Sequence, residues 1–376
     1  MNGAPDVQPF GDPWTAVSLL DRGPRHSQPA GSLEWPDDAD SWLLLAYRDM
    51  VLARAFDSEA IALQRQGELA MWPSALGQEA AQVGVAHALR RQDMVFPTYR
   101  EHALALSRGV DPLAVMSLFR GTTHGGWDPI ANNIASYSLV IGAQALHAVG
   151  FAMAIVRDGD VGTGNPATDR AVLAFIGDGA LSEGETNEAF VWAAAQSLPV
   201  VFYCQNNQWA ISTPYSTQSC VPAAQRADGF GFRGIRVDGN DVLACREISR
   251  AALDDARSGG GPCLIEAVTY RRNAHTTADD DLRYRTEAEN TRWQQLDPID
   301  RLAKYLDVSQ DGWREEVLPD LASESRSLSE RLRSGCRGLS EPSPEGPFIN
   351  TYTRMTTELD RQRLQHLEFI NSWVAT

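Results

Sequence analysis

The sequence predicts an α/β protein with a doubly wound, mostly parallel sheet flanked by helices, and with helical N- and C-terminal extensions. Short apolar runs of strand length recur at 170–176, 199–204 and 263–270. Segments of helical composition separate these runs, and strands that alternate with helices form parallel sheets. An apolar share of 43% beside 22% charged residues is ordinary for a globular protein, so disorder of the whole chain is excluded.

The N-terminal part starts with an arm and continues as helices. Residues 1–40 are rich in Pro, Gly and Asp and show no sustained period, so we expect an extended arm. A helix is predicted at 41–66, where apolar residues recur on or near one face, and an alanine-rich helix at 77–89. A loop at 93–101 then leads into a helix that begins near His102.

The middle of the chain supplies the sheet. The first two apolar runs enclose a predicted helix at 183–196. A strand at 234–238 and a helix at 241–257 precede the third run. Ligands of doubly wound sheets bind outside the carboxyl ends of the strands, so the residues that follow each strand are the candidates for a site.

The C-terminal part is predicted to be helical and charged after Asp297. A Pro/Gly/Ser-rich break at 338–347 precedes a last helix at 350–373. We therefore divide the chain into an arm at 1–40, an α/β domain at 41–310 and a helical region at 311–376.

One segment, 138–156, is apolar enough to suggest a membrane span. Gln144 and His147 lie near its middle, where polar groups would be costly in lipid. Its many Gly and Ala residues suit a helix that packs closely against others. We predict a buried core or interface helix and no membrane span.

Charge and cysteine content narrow the class of protein. A formal net charge of −16 argues against nucleic acid as a partner, because no basic surplus exists to displace counterions. Local pairs such as Arg271–Arg272 could still bind small anions. The five cysteines show no C-x-x-C spacing, so free thiols in a reducing compartment are expected. The N-terminus shows no secretory signal, and we expect a cytoplasmic protein.

Two polar motifs follow neighbouring predicted strands. Gly177-Asp178-Gly179 follows one strand and Asn206-Asn207 follows the next. Adjacent parallel strands lie ~4.8 Å apart, so a carboxylate and an amide oxygen should converge there. Either motif alone would usually be a turn, but together at matching strand ends they predict a Mg²⁺ site beside a phosphate group. The glycines would let the backbone approach that phosphate.

The segment 177–213, GDGALSEGETNEAFVWAAAQSLPVVFYCQNNQWAIST, resembles the thiamin-diphosphate motif of 2-oxo acid dehydrogenase alpha subunits. The resemblance extends over about 40–310 and implies a thiamin diphosphate-binding fold. It implies that Asp178 and Asn207 coordinate Mg²⁺ by their side chains and Trp209 by its carbonyl, and that Gly179 and Ala180 border the cofactor.

Two further segments are similar to parts of the same family. In FPTYRE at 96–101, the resemblance implies that Tyr99 and Arg100 contact the diphosphate, where the planar guanidinium fork suits phosphate oxygens. The plain alternative is an exposed turn. In 138–144, Ile141 matches the family's apolar wedge between the two cofactor rings, although a core side chain is the obvious alternative.

The segment 270–285, YRRNAHTTADDDLRYR, resembles the family's active-site loop. His275 matches the catalytic histidine, and histidine suits proton transfer near neutral pH. Asp279, Tyr284 and Arg285 match residues that order the loop. Thr276 stands where mammalian relatives carry a regulatory serine, so we do not predict control by a kinase.

The resemblance implies that half of the active site is elsewhere. Thiamin chemistry needs a carboxylate on the aminopyrimidine ring, and the family places this glutamate on a beta subunit; Glu79 lies near the cofactor region but does not match it. We therefore expect an α₂β₂ heterotetramer that hands its acyl group to a lipoyl-bearing dihydrolipoyl acyltransferase. Gln205 replaces a charged residue of some relatives, which implies one missing phosphate contact.

The resemblance is strongest to bacterial branched-chain subunits, which predicts a branched-chain 2-oxo acid of the 2-oxoisovalerate type as substrate. Pyruvate and acetoin dehydrogenase alpha subunits share nearly all of the motifs and remain open. A transketolase-like enzyme and a non-catalytic scaffold with a vestigial site are the alternatives from other classes.

Overall fold

The computed structural model of the chain describes residues 16–20, 36–349 and 351–374. Most of the arm predicted at 1–40 lies outside the described residues. Of its described part, Val17 forms a parallel bridge to Val237, and the backbone N–H groups of Leu19 and Leu20 donate to Asp241 Oδ2 at 2.7 and 2.8 Å.

The described residues contain the following helices and strands. The α-helices are α1 (Ala39–Arg65), α2 (Glu79–Ala88), α3 (His102–Ser107), α4 (Pro112–Arg120), α5 (Pro129–Asn132), α6 (Ala143–Asp158), α7 (Gly184–Ala195), α8 (Tyr215–Gln218), α9 (Val242–Arg257), α10 (Glu287–Gln294), α11 (Pro298–Ser309), α12 (Trp313–Arg337), α13 (Gly346–Ile349) and α14 (Thr357–Val374). The strands are β1 (Met94–Phe96), β2 (Val172–Gly177), β3 (Val200–Asn206), β4 (Trp209–Ala210), β5 (Thr213–Pro214), β6 (Arg233–Asp238) and β7 (Cys263–Val268). Short 3₁₀ helices span Asp178–Ser182, Ala223–Phe230 and Asp281–Arg283.

The main sheet has five parallel strands in the order β1-β2-β3-β7-β6. Side chains alternate between its two faces, as strand geometry requires. Phe175 and Tyr203 join the core under α1, α2 and α9, whereas Ile176 and Phe202 join the core under α6 and α7. Helices thus cover both faces, which confirms the predicted doubly wound α/β fold.

The register brings the ends of the central strands together. Gly177 at the end of β2 pairs with Gln205 of β3, and Asn206 of β3 pairs with Val268 of β7. The chain segments that leave these three strands, which begin at Asp178, Asn207 and Thr269, therefore start from one edge of the sheet.

Three predictions of elements need correction. The segment 93–101 is not only a loop, because Met94–Phe96 forms β1 and pairs with β2. The predicted helix at 138–156 starts only at Ala143, after Gly142 with φ +86°, and Leu139 and Val140 before it are exposed. The last helix begins at Thr357 and not at residue 350.

The cysteines and the helix lengths bear on the class of protein. Each of the five cysteines is a free thiol, as expected. Within 16–20, 36–349 and 351–374, no single helix combines the length with the hydrophobicity that crossing a lipid bilayer requires.

Candidate functional site

A cavity of about 380 Å³ lies at the carboxyl ends of β2 and β3. Its lining combines strand-end loops with the start of α6 and the segment that follows β7. It includes all of the site residues predicted from the sequence: Tyr99, Arg100, Ile141, Asp178, Gly179, Ala180, Asn207, Trp209 and His275. Residues up to 176 positions apart in the sequence, Tyr99 and His275, therefore meet at one place.

Asp178 is buried at the floor of the cavity, directly after β2. Burial raises the pKa of Asp178 to about 6, while backbone hydrogen bonding, the Gln218 amide and the Arg271 charge act in the opposite direction. Gln218 Nε2 donates to its Oδ2 at 3.3 Å. A nearby cation would stabilise the ionised form of a desolvated carboxylate of this kind.

Asn207 faces the same cavity from the end of β3 and is also buried. Its Nδ2 donates to Gln78 Oε1 at 3.2 Å, and its Oδ1 accepts from the Trp209 backbone N–H at 3.3 Å. An amide oxygen has two lone pairs, so Oδ1 retains one for a further partner. Beside it, the buried Gln78 Nε2 has no partner among the described residues, which leaves an unused donor at the cavity wall.

The backbone approaches closely at Gly179. A Cβ there would lie 2.7 Å from the Cβ of Ala210, which excludes larger residues. The loop that carries Ala210 is itself unusual, because Gln208 and Ile211 have positive φ angles of 74° and 53°. This loop turns the carbonyl of Trp209 toward Arg271, whose Nη1 donates to it at 3.1 Å.

Two arginines converge on His275. Arg100 Nη2 and Arg271 Nη1 each lie 3.3 Å from His275 Nδ1. Burial, followed by the charges of Arg100 and Arg271, lowers the pKa of His275 to about 3. A guanidinium can only donate, so Nδ1 is the acceptor and the neutral ring carries its proton on Nε2. Tyr99 packs edge-on against the same ring at 6.1 Å between centroids.

The arginines are held rigidly by backbone carbonyls. Arg100 Nη1 donates to Ser74 O at 2.6 Å, and Arg271 Nη2 donates to Ile211 O at 2.8 Å. Burial, followed by the charge of Arg100, lowers the pKa of Arg271 to about 10. Most partners of these two buried cations are uncharged carbonyls, so the cations strongly attract an anion such as a phosphate group.

The segment after β7 is ordered by its own residues. Asp279 Oδ2 accepts from the His275 backbone N–H at 2.9 Å and from the Tyr284 hydroxyl. Arg285 Nη2 donates to Arg272 O at 2.9 Å, and Arg285 also bonds Asp281. These contacts fold the segment back on itself and keep His275 at the cavity.

Ile141 lies at the rim of the cavity and is 42% exposed. Its neighbours Leu139 and Val140 are more exposed still. The alternative interpretation of Ile141 as an ordinary core side chain is therefore wrong. Its exposed face is free to contact a ligand.

The structure separates residues that the sequence left undecided. Arg271 faces the cavity, whereas Arg272 pairs with Asp297 at 2.6 Å, so only one member of that pair can serve an anion in the cavity. Glu79 is buried in an ion pair with Arg54 at 2.8 Å and is not part of the lining. Gln205 donates to Glu101 at 2.7 Å. Because its side chain is uncharged, it supplies no charge to a ligand in the cavity.

The sequence pointed to Arg271 only as one of a pair with Arg272, and it gave no signal for Gln78. Gln78 comes just before α2, which contacts β3 through a hydrogen bond from the Tyr203 hydroxyl to Ala81 O at 2.9 Å. This packing brings Gln78 to the cavity. The described part of the chain holds no cluster of three or more His, Cys, Asp or Glu side chains that could bind a metal. A metal site here would rest on one carboxylate, one amide and a carbonyl.

The chain is similar to known proteins of one family. A sequence profile described as dehydrogenase E1 component matches residues 47–330. A 3-methyl-2-oxobutanoate dehydrogenase subunit alpha of Mycobacterium tuberculosis (strain CDC 1551 / Oshkosh) is 45% identical over 331 residues, which cover 88% of this chain and 87% of that protein. A pyruvate dehydrogenase E1 component subunit alpha of Acholeplasma laidlawii is 37% identical over 335 residues, 87% of this chain and 93% of that protein. One from Staphylococcus aureus (strain Mu50 / ATCC 700699) is 38% identical over 275 residues, 72% of both chains.

Proposed function

Because this chain belongs to the dehydrogenase E1 component family, we propose that it is the alpha subunit of a thiamin diphosphate-dependent 2-oxo acid dehydrogenase acting on 3-methyl-2-oxobutanoate. The observation that carries the proposal is the cavity in which Asp178, Asn207 and two buried arginines converge. The relative at 45% identity favours the branched-chain substrate. Pyruvate is the second candidate, because the other relatives are pyruvate dehydrogenase subunits.

The cavity suits a magnesium diphosphate. Asp178 and Asn207 supply a carboxylate and an amide oxygen, and the Trp209 carbonyl has a lone pair beyond its bond to Arg271; such hard oxygen donors suit Mg²⁺. Arg100 and Arg271 would hold the phosphate oxygens. Gln78 Nε2, which has no partner among the described residues, supports the fit, because a buried donor without a partner is costly unless a ligand satisfies it.

Thiamin diphosphate, when bound, supplies the electron sink for decarboxylation of the 2-oxo acid. The chain's own residues orient it and exclude water. His275 is neutral and protonated on Nε2, so it offers a hydrogen-bond donor to a developing negative charge without carrying a net charge itself. Ile141 presents an apolar surface at the rim, where it would support the cofactor rings.

We propose that the activating carboxylate comes from a beta subunit in an α₂β₂ assembly. Among the acidic residues that line the cavity, Asp178 lies at the metal end, and Glu101 is bonded to Thr98 and Gln205. Glu183 is exposed. Glu79 is in the Arg54 ion pair. The acyl group would pass to the lipoyl group of a dihydrolipoyl acyltransferase.

The first test compares the chain alone with the chain plus its beta subunit. With thiamin diphosphate and Mg²⁺, we expect decarboxylation only from the pair, and a higher kcat/KM for 3-methyl-2-oxobutanoate than for pyruvate. Appreciable turnover by the isolated chain would refute the split site. Faster turnover of pyruvate would reverse the choice of substrate, although a methylene group changes affinity by only ~1–3 kcal/mol.

The second test addresses the metal site. Asp178→Ala should abolish Mg²⁺-dependent binding of thiamin diphosphate to the assembled pair, because the site loses its anionic ligand. Calorimetry with and without Mg²⁺ measures this. Binding of undiminished affinity would contradict the assignment, and an assembled wild type that binds no thiamin diphosphate would favour a scaffold with a vestigial site.

A further inference from the structure

Helix α1 carries a buried carboxylate that the proposed chemistry does not use. Asp57 is only 4% exposed and forms no ion pair within 4 Å among the described residues. Its three donors all come from one short stretch, residues 72–75. Trp72 Nε1 donates at 2.8 Å, Ser74 Oγ at 2.5 Å and the Ala75 backbone N–H at 3.0 Å. One carboxylate therefore fixes three of four consecutive residues.

The 72–75 segment is also held from a second direction. His102 Nε2 lies 3.0 Å from the Pro73 carbonyl, to which it donates, and its ring stacks on Trp72 at 4.3 Å. Burial lowers the pKa of His102 to about 3, so the ring is neutral. The segment is thus anchored by His102 as well as by Asp57.

The 72–75 segment also bonds the residues around His275. The Thr277 backbone N–H donates to Trp72 O at 3.0 Å, and the Trp72 N–H donates to Thr277 Oγ1 at 2.9 Å. Asn273 Nδ2 donates to Ser74 Oγ at 2.8 Å. Arg100 Nη1 donates to Ser74 O at 2.6 Å. These four bonds bracket His275 and one of the arginines that flank it.

We propose that Asp57 is a positioning residue, which through the 72–75 segment sets the place of His275 and Arg100 at the cavity. Ser74 is the direct link, because its hydroxyl donates to Asp57 and accepts from Asn273. Only the expected effect of Asp57 on cofactor binding rests on the proposed function. The coupling between Asp57 and the 273–277 backbone is a property of the chain itself.

A second acid on the same helix provides the control. Glu59 is also buried, but it pairs with Arg333 of α12 at 2.8 and 3.0 Å. Loss of either acid removes a buried carboxylate from α1. Only loss of Asp57 releases the 72–75 segment.

The experiment measures amide hydrogen exchange of the chain without cofactor in Asp57→Asn and Glu59→Gln. We expect the Thr277 amide of Asp57→Asn to exchange roughly tenfold faster or more relative to wild type, while amides of β3 and α9 keep their rates. Glu59→Gln should leave Thr277 unchanged. Equal effects of the two variants, or uniform acceleration throughout Asp57→Asn, would overturn the proposal.

Variants at the other end of the link keep the test decisive should Asp57→Asn not fold. Ser74→Ala and Thr277→Val remove the hydroxyls that join the two segments and should accelerate the same amides. Unchanged exchange in both would sink the proposal. The link also predicts that Asp57→Asn and Asn273→Ala are non-additive in their effect on Thr277 exchange, because they act through one hydroxyl.

The consequence for the cofactor is measured separately. In the assembled pair, Asp57→Asn should weaken thiamin diphosphate affinity about tenfold, as for other residues that orient ligand-binding groups, and Glu59→Gln should not. If exchange changes as expected but wild type binds no cofactor, the proposed function fails and the positioning role stands. If wild type binds and Asp57→Asn binds equally well, the positioning role at the cavity fails.

Discussion

The protonation state of His275 is set by its neighbours. Two guanidinium groups at 3.3 Å from Nδ1 and a half-buried ring leave the neutral Nε2–H form as the stable one. An anion between the arginines would reduce their combined field at the ring. His275 would then become more basic when the cavity is filled, which couples its proton affinity to ligand binding.

Removal of one arginine tests this account. In Arg271→Met we expect the pKa of His275 to rise by roughly one unit, because one of the two nearby cations is lost. The chemical shift of the His275 ring protons as a function of pH measures it. Arg331→Met, an exposed arginine on α12, is the control and should leave the pKa unchanged. A fall of the His275 pKa in Arg271→Met would contradict the field argument.

A second buried histidine makes stability depend on pH. The pKa of His102 is about 3 in the folded chain and about 6.5 when unfolded, so between these values the unfolded chain binds the additional proton. Stability is therefore complete above the unfolded pKa and falls as pH decreases below it. From about pH 8 to about pH 5 the loss from His102 is about 2 kcal/mol.

The variant His102→Gln isolates this contribution. It lacks the titrating ring, so its unfolding free energy should fall less steeply with decreasing pH than that of wild type, by about 2 kcal/mol over the same range. Urea unfolding at several pH values gives the two slopes. Parallel slopes would show that His102 does not titrate on unfolding.

At the scale of elements, glycine controls how closely helices pack. A Cβ on Gly84 of α2 would lie 2.6 Å from the Cβ of Cys245 on α9, whereas a Cβ on Gly150 of α6 would have no atom within 4 Å. Gly84→Ala should destabilise the chain by about 1–3 kcal/mol through overpacking. Gly150→Ala should stabilise the isolated chain by about 0.5–1 kcal/mol through helix propensity.

Chemical unfolding of both glycine variants distinguishes close packing from propensity. If Gly84→Ala were as stable as Gly150→Ala, α2 and α9 would have room that the structure does not show. Both residues lie inside helices, so the difference between them reports only their surroundings.

Much of the sheet could be predicted, because β2 and β3 contain unbroken apolar runs followed by polar residues, and β7 is an apolar run interrupted only by Glu266. The sequence also predicts that β2 and β3 are neighbours in the sheet, because they follow one another along the chain with one helix between them. Strand β1 was missed because three residues show no period and Pro97 follows at once. The place of β7 between β3 and β6 depends on packing of distant segments, which no local pattern encodes.

Some residues of the site could also be predicted from the sequence, and others could not. Asp178 and Asn207 could be brought together because they end adjacent strands. Gln78 could not, because its side chain reaches the cavity through the packing of α2, and no local signal marks it. Resemblance drew attention to His275, but its neutral state follows from two arginines that are 171 residues apart in the sequence.

At the scale of the whole molecule, the last two described helices, α13 and α14, pack mainly against each other. Helix α14 packs against α13, and its Phe369 and Trp373 are exposed. Deletion of residues 346–376 should shift the unfolding midpoint by less than about 2 °C. Deletion from residue 313 onward should lower it much more, because α12 buries Trp313, Leu321 and Leu332.

Calorimetry of the two truncated chains checks this prediction. A large fall in the midpoint after the shorter deletion would mean that α14 stabilises the α/β core. A small change after the longer one would mean that α12 is equally dispensable.

The place of β7 has a consequence for how the chain is made. Strand β7 lies between β3 and β6, yet it is the last of the five to be synthesised. One edge of β3 therefore stays unpaired while roughly 60 further residues are synthesised, which takes seconds at about 5–20 residues per second. An open apolar edge invites pairing with other nascent chains, so this interval is when aggregation threatens most and when a chaperone would be of greatest use.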